Sequence, residues 1–432
     1  MKSFGKFLPS FLIGSFVFYF LSERAIYRYQ HMGAGVDIGL FENLFYNLSH
    51  TGEAFTSLGI DGQSHHYFSD HINWFIYPIG ILYHYFSHAE TLLILQALIL
   101  SIPIFVLPTF GNQNSYKIIY PLLYALYVPI YWIQIFDFHP EVLWIPFFFF
   151  FFLFWKKQSK LWYVFFFLSL CTKEETTLIW IVFSFLIRDS HPKESRTIGI
   201  ITILYMILSI FLLYYFNNQT EHYKLAHLER YVDPIGAITK YHLFPYLLLF
   251  LLFPFLFLPL RYPLSLCLFP YVLYSLGSQW EVNKTPFTHH SFITIPILFL
   301  SFIEEVESFS LPWKRTILSL SLLISIVLFF QFGPITKTYS YRKDFMNRQI
   351  KTDDVSILRS LFPGESIVSN VPQYLANRSE VYLFLPNKEY SAKYFVYYQG
   401  KDFPPYEKAP IGYEQSFHKE NHILIFQHKK ID

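Results

Sequence analysis

The chain has 432 residues, of which 53% are hydrophobic, 22% aromatic and only 15% charged, with a formal net charge of +2. One soluble core could not bury 51 Phe and 34 Tyr, so the composition excludes an ordinary globular protein and indicates an α-helical polytopic membrane protein, while the near-neutral balance argues against a nucleic-acid partner. The two cysteines, Cys171 and Cys267, both sit in apolar runs, which argues against a disulfide framework.

The sequence opens on "MKSFGKFLPSFLIGSFVFYFLSERA", where Lys2 and Lys6 precede an apolar run. No small-x-small cleavage site follows, so 5–22 reads as an uncleaved first span. In "GVDIGLFENL" (35–44) and the residues after it, apolar positions 38, 40, 41, 44, 45 and 48 suit one face of a helix lying on a membrane. Asp37 heads this helix, either as its N-cap or as a carboxylate held at the surface for base catalysis. Glu42 follows on the same helix. "SHHYFSDH" (64–71) sets His66 and Asp70 four apart, on one face if helical, with His71 adjacent. Such a group suits a divalent metal, and a polar interfacial loop is the plainer alternative. The run 72–86 is too short and too rich in His, Tyr and Pro for a span, and reads as interfacial or re-entrant.

Apolar runs at 89–109, 117–136, 142–155, 161–172, 176–188, 198–216, 241–260, 262–277, 291–303 and 313–332 bring the expected total to about eleven spans. Several are shorter than the roughly 20 residues of a straight span, which points to broken helices or a locally thin bilayer. Two polar clusters interrupt the series. "FDFHPE" (136–141) sets Asp137, His139 and Glu141 at the lip of an apolar run. Pro140 can start a helix whose dipole Glu141 complements; Asp137 and His139 have no such structural role beyond facing water. "TKEET" (172–176) puts Lys173, Glu174 and Glu175 between two apolar runs, where charges are costly unless they pair or line a cavity.

Basic residues gather in "WKKQSK" (155–160), "RDSHPKESR" (188–196), Arg261 and "PWKR" (312–315), which places these connections and the N-terminus in the cytoplasm. The outer side then receives 23–88, 137–141, 173–175, 217–240 with Lys224 and Arg230, 278–290 and everything from 333. Of the 17 His, only His191 falls inside. On this topology one outward cavity collects Asp37, His66, Asp70, Asp137, His139 and Glu174 with the pair His289–His290, next to lipid and suited to acid–base work or a metal. Residues 1–332 form the membrane domain. The tail, 333–432, has ordinary polarity and reads as a small α/β extracytoplasmic domain. In it "DDVSILRSLF" (353–362) suits an amphipathic helix, and 366–370, 381–385, 394–398 and 423–427 suit strands. No internal repeat and no Gly-rich phosphate loop stands out.

The motifs also resemble, in order, those of a bacterial membrane family. "DIGLFENLFYN" resembles a D-L-G-x-F-x-Q-x-x-W motif after a first span, and "HHYFSDHINWFIYPIGILYHYF" an H-F-S-P motif with its apolar follower. "LLILQALILSIPIFVL", "FDFHPEVLWIPFFFF", "CTKEETTLIW" and "GESIVSNVPQYLANRSEVYLFLP" continue the series. On these, over nearly its whole length, the chain is identified as a member of the family called domain of unknown function 2079. That family is similar to the type C glycosyltransferase superfold, in which many spans carry a first outer loop with an essential acidic residue. Those enzymes move a sugar from a polyprenyl-phosphate carrier to an acceptor outside the cytoplasm. The resemblance implies that Asp37 is the base or positions the acceptor. His139 and Lys173, with Glu174 beside them, would complete the catalytic set and neutralise the departing phosphate. Glu42, His66, Asp137, Glu141, Glu175, His289 and His290 would bind substrate. A divalent metal held by His66, Asp70 and Asp137 is the one cofactor envisaged. The implied partners are membrane lipid, a polyprenyl-phosphate-linked sugar donor and a glycan, lipid or protein acceptor, at the bacterial cytoplasmic membrane. Two features depart from the pattern: Asp70 replaces the proline of H-F-S-P, and a single acidic residue stands in "GVDIG". A transporter or lipid flippase and a non-catalytic envelope protein are the rival readings. The first calls for inverted repeats and mid-membrane charges, the second for tolerance of substitution at Asp37 and His139.

Overall fold

The computed structural model describes residues 4–59, 64–111, 117–219, 233–285, 288–334, 353–386, 388–399, 410–419 and 422–429. Lys224, Arg230 and the connection 335–352 lie outside the described residues. The chain is mostly helical, with a few strands at its C-terminal end.

α1 (Phe4–Gln30) continues well beyond the expected 22, and so carries Arg28 on its last turn. A break at 31–35 leads into α2 (Val36–Thr51), which stops at Gly52, whose left-handed φ of 78° glycine adopts without strain. α3 (Ile76–Tyr85) is too short to cross a bilayer, as the 72–86 reading anticipates. α4 (Ala89–Val106) packs along α1 and ends in a 3₁₀ turn at Thr109.

Among the described residues, three helical segments are long and apolar enough to cross a membrane: 89–109, α10 (Pro192–Asn217) and α15 (Leu311–Phe332). Protein covers 67% of the apolar window in the first, but only 22% in α10 and 28% in α15. Their outward Leu, Ile and Phe side chains therefore need a bilayer to cover them. The other apolar runs form shorter helices, among them α7 (Trp144–Lys156), α8 (Leu161–Leu170), α9 (Thr176–Leu186) and α14 (Thr294–Ser308).

Two expected spans are broken for visible reasons. The run 117–136 becomes α5 (Ile119–Ala125) and α6 (Val128–Ile135). Pro129 has no N–H to offer the Ala125 carbonyl four residues back. The Tyr131 hydroxyl donates to that carbonyl instead, at 2.6 Å. In 241–260, α12 (Phe244–Leu252) stops before Pro254, and left-handed φ values at Leu256 (54°) and Phe257 (59°) turn the chain. α11 (Pro234–Thr239) precedes it and α13 (Phe269–Gly277) follows.

The helical core is aromatic. Trp180 meets Phe151 edge-on at 4.5 Å and Phe166 at 4.8 Å. Each such fully buried side chain contributes ~1.5–3 kcal/mol through apolar burial. The tail begins with α16 (Asp353–Ser360) and carries a sheet of β3 (Ile367–Ser369), β4 (Val381–Leu383), β5 (Tyr394–Tyr398), β6 (Tyr413–Lys419) and β7 (Ile423–His428). The strand order is β4-β3-β5-β7-β6. β3 lies parallel to both neighbours, and the β5–β7–β6 ladder is antiparallel. β6 was not among the expected strands.

This sheet does not stand apart. Its inner residues Val396 and Ile425, with Val355 and Leu358 of α16 and Tyr374 of the turn after β3, share one apolar cluster with Ile38, Leu44 and Phe45 of α2. At Gly39 the approach is so close that a Cβ would lie 2.5 Å from the Gln373 Cα. Asn43 donates to the Arg378 carbonyl at 2.6 Å, and the Ser57 hydroxyl to that of Val381 at 2.6 Å. α2 is thus pinned between the tail and the helical body.

Candidate functional site

The other side of α2 borders a cavity of about 210 Å³. His65 of β2 (His65–His66), a strand paired with β1 (Phe55–Thr56), the turn 67–71, the loop 136–141 and the residues Trp280, Val282, His289 and His290 complete its wall. The N-cap of α2 is Gly35 and no side chain caps it, so the capping role considered for Asp37 is not the one it has. Asp37 stands in the first turn, where its charge favours the helix by ~0.3–1 kcal/mol. Its side chain retains 43% exposure because it borders the cavity, and its Oδ2 lies 3.7 Å from Nε2 of His139. Burial of its surroundings, with help from Asp137 and Glu141, raises its carboxyl above the usual range against the opposing pull of His139.

The loop 136–141 is held by its neighbours. Asp137 adopts a left-handed φ of 76° and forms a buried ion pair with Arg28. Its Oδ2 accepts the Gly35 N–H at 2.7 Å, which ties the loop to the start of α2. Gln96, on α4, donates to the Asp137 carbonyl at 2.6 Å and accepts the His139 N–H at 2.7 Å. A single amide therefore fixes the loop on both sides of Phe138. The His139 ring stacks on His289 with centroids 3.6 Å apart, and Phe136 packs against both.

Behind them lies a buried charge network. Lys173, 2% exposed, is 3.7 Å from Glu141 and 3.7 Å from Glu175. Glu141 is also 3.4 Å from His289 Nε2. Burial pushes Glu141 up, but Lys173, His139 and His71 outweigh it and hold the carboxyl below the usual range. Glu174 accepts the Ile72 N–H at 2.9 Å and pairs with His71 Nδ1 at 2.9 Å. Burial and Lys173 oppose a charge on His71, yet Asp70 and Glu174 prevail and raise its pKa. The 173–175 cluster thus sits at depth because its charges compensate one another.

Of the sequence candidates, Asp37, Asp70, His139, Glu141, His289 and His290 line this cavity, with Lys173, Glu174 and Glu175 just behind. Three others stand elsewhere. Glu42 is fully buried and bound by Arg359, so it docks the tail and does not meet substrate. His66 turns from the cavity: its Nδ1 accepts the Phe68 N–H and its ring stacks on Phe216 at 3.9 Å. Asp137 is taken by Arg28 and Gly35. The expected metal set of His66, Asp70 and Asp137 is therefore not formed. Among the described residues, the group with ligand atoms close enough for one ion is His139, Glu141 and His289. Sequence reasoning missed the lining residues His65, Tyr67, Phe136 and Trp280, and the positioning roles of Arg28 and Gln96. Gln96 had a usable signal, a lone amide within an apolar run. The choice of His65 over His66 had none, because adjacent strand residues face opposite ways and register decides which faces in.

No curated protein and no solved structure matches the chain. A family model described as a predicted membrane protein matches residues 28–394, a span that contains every residue of the cavity described above. The chain belongs to that family, domain of unknown function 2079.

Proposed function

We propose that this membrane protein is a lipid-linked sugar transferase of type C architecture, working on the outer face of the bacterial cytoplasmic membrane. The N-terminus would be cytoplasmic, about eleven crossings would be made by the long helices and the broken pairs, and the tail would lie outside. The observation that carries the reading is Asp37: a carboxylate on the first turn of a pinned helix, open to a cavity and 3.7 Å from a histidine.

The reaction would be an inverting displacement. The bond between the sugar's anomeric carbon and the phosphate oxygen breaks, and that oxygen leaves with the electron pair on the polyprenyl phosphate. The acceptor hydroxyl forms the new bond to carbon and gives its proton to Asp37. General-base help of this kind is worth typically ~10²–10⁴-fold. His139, beside Asp37, would orient that carboxylate. The tail would hold α2, and so Asp37, in place.

The test compares envelope glycans and polyprenyl-phosphate sugars in a deletion strain restored with the wild type or with Asp37→Asn. Since Gly35 is the cap, Asp37→Asn loses the dipole interaction and the charge facing His139 but no cap, and should fold. Build-up of a lipid-linked sugar with loss of one glycan, corrected by the wild type alone, is the expected result. Unchanged glycans, or full correction by Asp37→Asn, would turn the assignment towards transport or a structural role.

A further inference from the structure

The cavity wall poses a problem for any phosphate-bearing donor. Among the described residues, its ionisable lining is three carboxylates, Asp37, Asp70 and Glu141, and five histidines, with no lysine or arginine. Lys173, just behind the wall, already lies between Glu141 and Glu175. A dianionic or monoanionic phosphate would meet acidic oxygens first.

The geometry points to a divalent-cation centre formed by His139, Glu141 and His289. One ligand atom from each of the three lies within 4.8 Å of the others. Glu141 Oε1 and His289 Nε2 are 3.4 Å apart. A tetrahedral ion with bonds of ~2.0–2.1 Å sets its ligand atoms ~3.3 Å apart. That edge is therefore already at its bound length, and the His139 ring, stacked on His289 with centroids 3.6 Å apart, must turn out of that stack to close the triangle. All three side chains are at least nine-tenths buried, at 7%, 5% and 10% exposure.

An independent observation concerns the two rings themselves. Nδ1 of His139 and Nδ1 of His289 are buried and have no hydrogen-bond partner. Buried ring nitrogens without a partner are uncommon, and with His289 Nε2 facing Glu141 neither imidazole is committed at Nδ1 to another protein group. Two imidazoles and one carboxylate leave coordination positions open, which is the donor set of catalytic rather than structural metal sites. Imidazole nitrogen favours zinc, iron and similar transition ions over magnesium or calcium, which prefer all-oxygen shells, while the carboxylate also admits manganese. Lys173 fits as an outer partner that fixes the Glu141 carboxylate, the kind of support that metal ligands commonly receive. Asp37 stays outside the triangle, next to His139, where it can still take a proton.

The existence of this centre does not depend on the transferase assignment. Its role does: as part of that reading, the open positions would accept the donor's phosphate oxygens and offset the carboxylates.

The test uses the full chain in lipid nanodiscs, purified through a tag without histidines, stripped with chelator and titrated separately with Zn²⁺, Mn²⁺ and Mg²⁺. Metal content by mass spectrometry and binding by calorimetry are read together. One equivalent of Zn²⁺ or Mn²⁺ per chain is expected, with Mg²⁺ much weaker. Glu141→Gln and His289→Asn should each weaken binding more than about 100-fold, while His66→Asn should bind as the wild type does. A wild-type chain that takes up no ion, or an unchanged affinity in Glu141→Gln and His289→Asn, would overturn the centre. The wild-type stoichiometry decides even if a variant fails to fold. A metal bound without any glycan change on deletion keeps the centre and removes the transferase; a glycan change without a metal does the reverse.

Discussion

The buried pair between Glu42 and Arg359 offers a quantitative test of how the tail holds the site. Arg359, on α16, donates to both oxygens of Glu42 at 2.8 and 2.9 Å, and also to the Tyr29 hydroxyl at 2.8 Å. Tyr83 adds a further donor to Glu42 at 3.1 Å. Glu42 is fully buried and the Arg359 side chain is 16% exposed. Arg359→Leu leaves a carboxylate in the interior with only a hydroxyl for company. Removing one partner of such a pair costs ~3–5 kcal/mol. If that cost falls on docking, the opening that exposes α2 becomes ~10²–10⁴ times more populated. Native-state hydrogen exchange on the protein in nanodiscs reads this directly, as faster exchange of the amides from Gly39 to Asn47. The double variant Glu42→Leu/Arg359→Leu should recover much of the protection, because a buried pair can often be replaced by apolar side chains at little cost. Wild-type exchange rates in Arg359→Leu, or a double variant no better protected than the single one, would show that the pair does not dock the tail.

Two further outcomes follow from local geometry. Gly39→Ala puts a methyl group 2.5 Å from the Gln373 Cα, a backbone atom that cannot rotate away. The tail must shift, at ~1–3 kcal/mol, and the same exchange experiment should show α2 loosened; unchanged protection would refute the close packing of α2 on residue 373. The second concerns pH. Burial and the neighbouring His65 lower the His66 imidazole from 6.5 to about 4. Between those values the unfolded chain binds a proton that the folded loop refuses. The contribution is therefore complete above 6.5 and is lost as the pH falls towards 4. The thermal midpoint should drop less between pH 7 and pH 5 in His66→Asn than in the wild type, and equal drops would refute the assignment.

Much of the architecture could be read locally. The four strands expected at 366–370, 381–385, 394–398 and 423–427 correspond to Ile367–Ser369, Val381–Leu383, Tyr394–Tyr398 and Ile423–His428. The helix expected at 353–362 is Asp353–Ser360. β6 escaped because "YEQSFHK" has too few apolar residues to show an inward face; its pairing with β7 makes it a strand. The breaks at Pro129 and Pro254 were written in the sequence as prolines, but an apolar run of membrane length conceals how sharply they bend the chain.

The site divides along the same line. Composition and apolar run length determined that the chain belongs in a membrane, because only a bilayer covers faces such as those of α10 and α15. The isolated polar clusters determined where ionisable groups had to be compensated, because a charge next to apolar runs is costly alone. Which group compensates which was left to tertiary structure. Asp137 could equally have faced a metal or Arg28, and Arg28 is 109 positions away. Glu42 differs little in sequence setting from Asp37, yet one docks the tail and the other borders the cavity. His139 and His289 come together only because the loops at 136–141 and 288–293 fold against each other. Pair energies depend on distance and burial, and neither is set by neighbours along the chain; they arise when the tail, α2 and the helical body close around one another.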